Sequence, residues 1–339
     1  MADESGVASS LPATACAVVI GAGIVGNCLV GHLAHLGWKD LILIDKGPLP
    51  NPGGSTGHAS NFVFPVDHSR EMTDLTADSV RQYEHHGVLT VCGGIEVGRT
   101  EERMEELRRR MASAKSWGID DVALVTPAEI KELVPFIDES VLVGGFYSKG
   151  VGVVDSLRMG TLMREQAQET GAATVSANTE VLGIDVEKGR VKRVRTDRGD
   201  VEAEYVVIAC GVWSPRLARM AGASIPLTPA VHQMIDVGPV PRFETSKSAI
   251  EFPIVRDMDT NMYERQDGSG LEVARTRTGR SCTTRTRFPR SRSRRSPPPS
   301  CPSRRTTSSS RWSTRSSWCR RSWATSRWAS STRSTGCSR

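Results

Sequence analysis

Three glycines in Gly21-Ala-Gly-Ile-Val-Gly26, with an acid, Asp45, 19 residues beyond the last, are spaced to cradle a pyrophosphate. Gly21 permits a tight turn, Gly23 lets backbone approach the phosphates, and Gly26 lets a helix pack closely on a strand. The free N–H groups and dipole of that helix favour negative charge. Asp45 can accept hydrogen bonds from ribose hydroxyls, and an acid there disfavours a 2′-phosphate. The motif alone does not separate NAD from FAD. A second cluster follows in residues 51–64, NPGGSTGHASNFVF. Its small residues let a loop lie against a planar cofactor. His58 is its single histidine, and by itself reads as an ordinary loop residue.

These groups need a scaffold, and the flanking pattern supplies one. Residues 15–20, ACAVVI, are predicted as a buried parallel strand. Residues 27–36 have helical character and stop at Gly37. Residues 41–44, LILI, form a second buried strand ending at Asp45. The glycine motif therefore sits in a βαβ unit. Helices are predicted over 74–83 and 99–117, the second with a charged, solvated face. Another starts at Thr126, with Pro127 and Glu129 completing a capped entry. Residues 141–147 and 151–155 read as strand and turn, and 156–170 as a helix. Residues 174–186 and 190–197 alternate as antiparallel strands. Residues 204–211, EYVVIACG, form a further buried strand ending at Gly211, and Trp213 follows, either as a core aromatic or as a cofactor contact.

The chain of 339 residues carries 44 Lys+Arg and 38 Asp+Glu, a net charge of +6. That figure hides a break at about Val273. Residues 274–339 are dominated by Arg, Ser, Thr and Pro, contain no Asp, Glu or Lys, and hold 18 of the bases. Residues 1–273 thus carry 26 bases against 38 acids, a net of −12. The last 66 residues read as a GC-rich gene one base out of frame. Residues 274–289 back-translate so that the neighbouring frame spells GSYAHRPILHDPDEIP, and residues 328–339 so that it spells VGVKYAINGLLS. The alternative is a basic Arg/Ser tail that binds RNA. With so few aliphatic residues the tail is expected to be unstructured, as is the polar start, residues 1–14. No nucleic-acid partner is inferred from the whole-chain charge. Cys16, Cys28, Cys92 and Cys210 are scattered without metal-like spacing and suit a reduced cytoplasm. No signal peptide and no membrane-spanning run are read.

GAGIVG, then IDKGPL, then GGSTGHAS resembles the dimethylglycine oxidase, dimethylglycine dehydrogenase and sarcosine dehydrogenase group of the D-amino-acid-oxidase-like flavoproteins. The resemblance implies an α/β fold of two intergrown lobes. A Rossmann-like FAD lobe would span about 15–90 and 150–222, and an antiparallel substrate lobe about 91–149 and 223–273, truncated at the break. It implies that FAD is bonded covalently to His58, which holds the histidine position of the Gly-Ser-Thr-x-His-Ala motif. The cofactor would also contact Gly21, Gly23, Ile24, Val25 and Gly26, then Asp45 and Lys46, then Ser55, Thr56 and Ala59. Val181, Gly211 and Trp213 would complete its cradle. Residues 226–234, PLTPAVHQM, are similar to the strand bearing an active-site histidine, which makes His232 a candidate general base. Residues 261–265, NMYER, are similar to a strand whose tyrosine faces the flavin, which makes Tyr263 a candidate positioning group. Read alone, both are core or wall residues. Arg256 and Arg265 can hold a substrate carboxylate or be merely solvated. The implied reaction is oxidation of an N-methylated glycine derivative by hydride transfer to flavin N5, with a separate electron acceptor and no nucleic-acid or membrane partner. Two other readings stand beside it: another amino acid as substrate, or an inactive flavin-lobe fragment.

Overall fold

The computed structural model describes residues 11–230 and 232–275. In chain order the first half runs β1 (Thr14–Ile20), α1 (Ile24–His35), β2 (Leu41–Ile44), β3 (Phe62–Val63), α2 (Arg70–His85), β4 (Leu89–Val91), β5 (Gly94–Gly98), α3 (Glu101–Ser116), β6 (Val122–Val125), α4 (Pro127–Leu133), β7 (Gly144–Ser148), β8 (Gly152–Val154) and α5 (Ser156–Glu169). The second half adds β9 (Ala173–Ser176), β10 (Val181–Glu187), β11 (Arg190–Thr196), β12 (Gly199–Ile208), α6 (Ser214–Met220), β13 (Gln233–Val237), β14 (Ile254–Asp257), β15 (Met262–Asp267) and β16 (Gly270–Arg275).

A six-stranded sheet, in the order β10-β11-β12-β1-β2-β9, carries the glycine turn. Its β12, β1, β2 and β9 are parallel, and β10 to β12 are antiparallel. Both faces of its centre are covered, which explains why β2 is apolar at every position. On one face Ala17, Val19, Leu41 and Leu43 pack with Val30 of α1 and Ala167 of α5. On the other, Val18, Ile20, Ile42 and Ile44 pack with Ile184, Val194 and Val201 of β10 to β12 and Leu217 of α6.

A seven-stranded sheet, in the order β13-β16-β15-β14-β5-β7-β6, stands beside it. It is antiparallel except where β14 runs parallel to β5. Ile95, Val97 and Val255 pack on Ile130 and Val134 around α4, while Phe146 packs on Met104 and Leu107 of α3. A small sheet, β3-β8-β4, forms a third set of paired strands.

Helix starts follow the expected capping. Ser69 accepts from Met72 N and Thr100 from Arg103 N. At α4 the capping box is complete: Thr126 Oγ1 accepts from Glu129 N at 3.3 Å, and Glu129 Oε2 accepts from Thr126 N at 2.7 Å. No helix among the described residues is long and apolar enough to cross a membrane.

Four expectations are corrected. Residues 174–186 are not one antiparallel piece, because β9 joins the parallel strands beside β2 and a turn at Asn178, with φ of 51°, separates it from β10. The strand expected over 226–234 begins only at Gln233; Pro226 and Pro229 lack the N–H that a ladder needs. His232 therefore precedes β13 rather than lying within it. Residues 11–14 are ordered, with Leu11 against the core and Ala13 O accepting from Glu202 N. At the other end the sheet continues past Val273, since the small Ala274 fits between Met234 and Tyr263 in the ladder and Arg275 pairs with Met262. The remaining tail, residues 276–339, lies outside the described residues.

Candidate active site

The turn between β1 and α1 is built as its glycines require. Gly21 has φ of +108°, and its N–H donates to Ile44 O at 2.8 Å. A Cβ on Gly26 would lie 1.8 Å from Gly21 O, so no side chain can stand there without opening the turn. Asn27, which the sequence reading passed over, is buried and locks the turn through Nδ2, which donates to Ala22 O at 2.7 Å and Gly23 O at 3.1 Å. A polar amide among the apolar positions of α1 was the available signal. Asp45 sits at the tip of β2, and its carboxylate accepts from Ala22 N and Gly47 N, each at 2.7 Å. Burial pushes its pKa up, against those two hydrogen bonds.

The Gly/Ser/Thr loop closes on this turn. Thr56 Oγ1 accepts from Ile24 N at 2.9 Å, and Ser156 Oγ donates to Thr56 O at 2.8 Å. Ser55 opens a short 3-10 turn, Ser55–Gly57, and His58 ends it. His58 and Ala59 are exposed, and the His58 ring has no hydrogen-bond partner among the described residues. Trp213 lies against the same loop, its ring 3.7 Å from where a Gly54 Cβ would stand. Gly211 takes φ of +50° just before it. Val25 is exposed at the start of α1, and Val181 is buried at the start of β10. Lys46 is engaged elsewhere, in a 2.7 Å ion pair with Glu180.

Two residues beyond His58 the loop meets the second sheet. Buried Ser60 shares a hydrogen bond with the hydroxyl of buried Tyr263, and Ser60 Oγ donates to Met234 Sδ at 3.5 Å. Phe62 stacks edge-on against Tyr263 at 4.7 Å, and the His232 ring stands 6.1 Å from it. Burial pushes the Tyr263 phenol up to about 12, so it remains a neutral hydroxyl at ordinary pH. His232 keeps an exposed surface; the protein behind its ring lowers its pKa, and Glu272 opposes that. His232 and Tyr263 are thus brought together with the loop of His58. Ser60 was missed because a serine after a loop motif carries no distinguishing pattern.

Arg256 is not merely solvated. It is buried on β14, with Nη1 3.0 Å from Glu96 Oε1, and its guanidinium lies 4.3 Å over Phe64. Burial pushes its pKa down to about 10. The same Glu96, on β5, also pairs with buried Arg110 of α3. A cavity of about 310 Å³ opens beside them, walled by Phe62, Phe64, His68 and Tyr83. Arg265 is committed to Glu272, Nη2 to Oε2 at 2.6 Å.

A parallel sheet ending in a glycine turn at a helix N-terminus, with an acid at the next strand tip, is the arrangement of a dinucleotide-binding fold, and a second sheet brings a tyrosine and a histidine to its seam. The model of the DAO family, described as FAD dependent oxidoreductase, matches residues 17–304, and the chain belongs to that family. It is 28% identical over 261 residues to the mitochondrial dimethylglycine dehydrogenase of Rattus norvegicus, covering 75% of this chain and 30% of that one. It is 31% identical over 282 residues to the mitochondrial sarcosine dehydrogenase of Mus musculus, covering 79% and 30%. The chain therefore spans under a third of either relative's length. Among solved structures, L-proline dehydrogenase from P. horikoshii superposes with a TM-score of 0.69 at 26% identity, over 78% of this chain and 70% of that one.

The residues present fit FAD. Helix α1 has Gly23 as its N-cap, with no side chain there to fill the cap and no acid in its first turn; Thr56 takes the Ile24 N–H, and the dipole of the helix still favours an anion at this end. Asp45 stands directly at that turn, its carboxylate accepting from Ala22 N at 2.7 Å, and the neighbouring loop, tied to the turn by Thr56, is made of small residues, Gly53, Gly54 and Ser55.

Proposed function

We propose that this chain is an FAD-dependent oxidoreductase that oxidises an N-methylated glycine derivative, dimethylglycine or N-methylglycine. The carrying observation is the meeting of Tyr263, His232 and Ser60 two residues beyond His58, at the seam of the two sheets. The dimethylglycine and sarcosine dehydrogenases among its relatives support the substrate class. Bound FAD would supply the two-electron acceptor, and covalent attachment through His58 belongs to the same reading. The protein's own residues prepare the amine. Amines of this class are mostly protonated near neutral pH and donate hydride only when the nitrogen lone pair is free. His232, held below its ordinary pKa, is neutral there and can take the proton from nitrogen as a general base. Tyr263, neutral and fixed by Ser60, orients the nitrogen or the carboxylate. A second reading, with another amino acid as substrate, draws on the likeness to L-proline dehydrogenase.

Anaerobic stopped-flow measurement of flavin reduction by dimethylglycine tests this. His232→Ala and Tyr263→Phe are each expected to slow reduction by roughly 100-fold or more, the size of a general-base contribution, with flavin content unchanged. Wild-type rates in both variants would sink the assignment, and faster reduction by an unmethylated amino acid would transfer it to the second reading.

The tail belongs to the same proposal. Residues beyond the break are read as translated one base out of frame, which would make the chain a truncated form of a longer oxidoreductase. At the edge of the described sheet, Arg275 Nε is buried without a hydrogen-bond partner among the described residues, at the position where the neighbouring frame places a serine. Sequencing the gene across codons 270–339 checks this: an open alternative frame is expected, and one interrupted by stop codons ends the idea.

A further inference from the structure

Arg164 has no part in the site described so far. It lies on α5, 8% exposed, and among the described residues no carboxylate forms an ion pair with it. Burial pushes its pKa down, and the charge of the exposed Glu165 opposes that. A guanidinium keeps its proton at any ordinary pH. The chain therefore holds a cation out of water, which is costly unless a counter-charge comes close.

The contacts of Arg164 lead to the glycine turn. Nη1 donates to Asn27 Oδ1 and Nη2 to Thr161 Oγ1, each at 3.5 Å. Both are long for hydrogen bonds and do not replace a carboxylate. Helix α5 approaches α1 closely here, since a Cβ on Gly160 would stand 3.0 Å from Asn27 Nδ2. Asn27 in turn holds Ala22 O and Gly23 O. Turned outward, those carbonyls would repel a phosphate; held inward, they leave the positive end of α1 facing it. A single amide, entered at 3.5 Å and left at 3.1 Å, thus separates the buried guanidinium from Gly23 O. We propose that Arg164 is a positioning residue for the cofactor's pyrophosphate: it supplies the buried counter-charge behind the turn and orients the Asn27 amide that shapes it. This role rests on the FAD reading and not on the choice of amine.

The test is equilibrium binding in a His58→Ala background, where FAD exchanges freely. Fluorescence titration compares FAD with riboflavin, which carries the ring system without the pyrophosphate. Calorimetry adds ADP, which carries a pyrophosphate without a flavin. Arg164→Met is expected to weaken FAD and ADP roughly tenfold or more, the size of one unit charge acting through about 10 Å of protein, and to leave riboflavin unchanged. Arg164→Lys, which restores the charge, is expected to recover most of that loss. Arg164→Gln, neutral but still a donor to Asn27, repeats the measurement if the methionine variant fails to fold. Equal losses for FAD and riboflavin would mean that Arg164 only packs α5 on α1, and FAD affinity unchanged in the neutral variants would overturn the proposal while leaving the flavin reading intact. Arg164-dependent binding of ADP with no binding of FAD would leave this role standing and remove the flavin reading instead.

Discussion

Acid precipitation of the FAD-loaded chain is expected to carry all the yellow colour into the pellet, and the same treatment of His58→Ala to leave it in the supernatant. The expectation starts from local structure. His58 ends the Ser55–Gly57 turn, its N–H donating to Ser55 O at 3.1 Å, and Thr56 is tied to the N-terminus of α1. The imidazole is thus exposed on a segment anchored at the dinucleotide turn, with no hydrogen bond among the described residues competing for its nitrogens. The effect is all-or-none because a carbon–nitrogen bond survives unfolding and a cradle of hydrogen bonds does not. Wild-type colour in the supernatant would exclude the bond while leaving FAD binding intact.

Glu96→Ala is expected to destabilise the protein by about 3–5 kcal/mol, the cost of stripping one partner from a buried ion pair. Glu96 is 1% exposed and answers two buried guanidiniums, Arg110 and Arg256. Its loss leaves like charges facing each other where water cannot screen them. The pairs join α3, β5 and β14, so the damage spreads across the second sheet. Urea denaturation followed by circular dichroism reads it as a lower midpoint at an unchanged slope. A shift corresponding to less than about 1 kcal/mol, the range of exposed pairs, would show that the site is wetter than its burial implies.

What was legible in the sequence was what periodicity and backbone chemistry encode. The run LILI could only be a strand covered on both faces, and β2 occupies those four residues. The Thr126, Pro127 and Glu129 signals marked the start of α4. The glycine spacing placed the β1–α1 turn because each glycine answers a contact at short range. The misses are long-range. β9 was assigned to the wrong pairing because nothing local distinguishes a parallel partner of β2 from the first strand of a meander. His232 was placed on a strand although two prolines precede it. Glu96 and Ser60 matter through partners that lie far away in sequence, Arg256 and Tyr263, and a lone acid or serine carries no mark of the ion pair or hydroxyl it will meet.

β1 and β12 pair in register, Thr14 with Glu202 and Ile20 with Ile208, partners that are 188 positions apart in sequence. β2 can pair with β1 soon after both are made. The other edge of β1 stays open until Ile208 has left the ribosome. At about 5–20 residues per second, that interval lasts roughly 10–40 seconds. An apolar strand with one open edge is a template for wrong partners, and a contact of this span is slow to close even when its partner is present. The pace of elongation, more than the strength of the finished sheet, therefore sets how long each new molecule is exposed to misassembly.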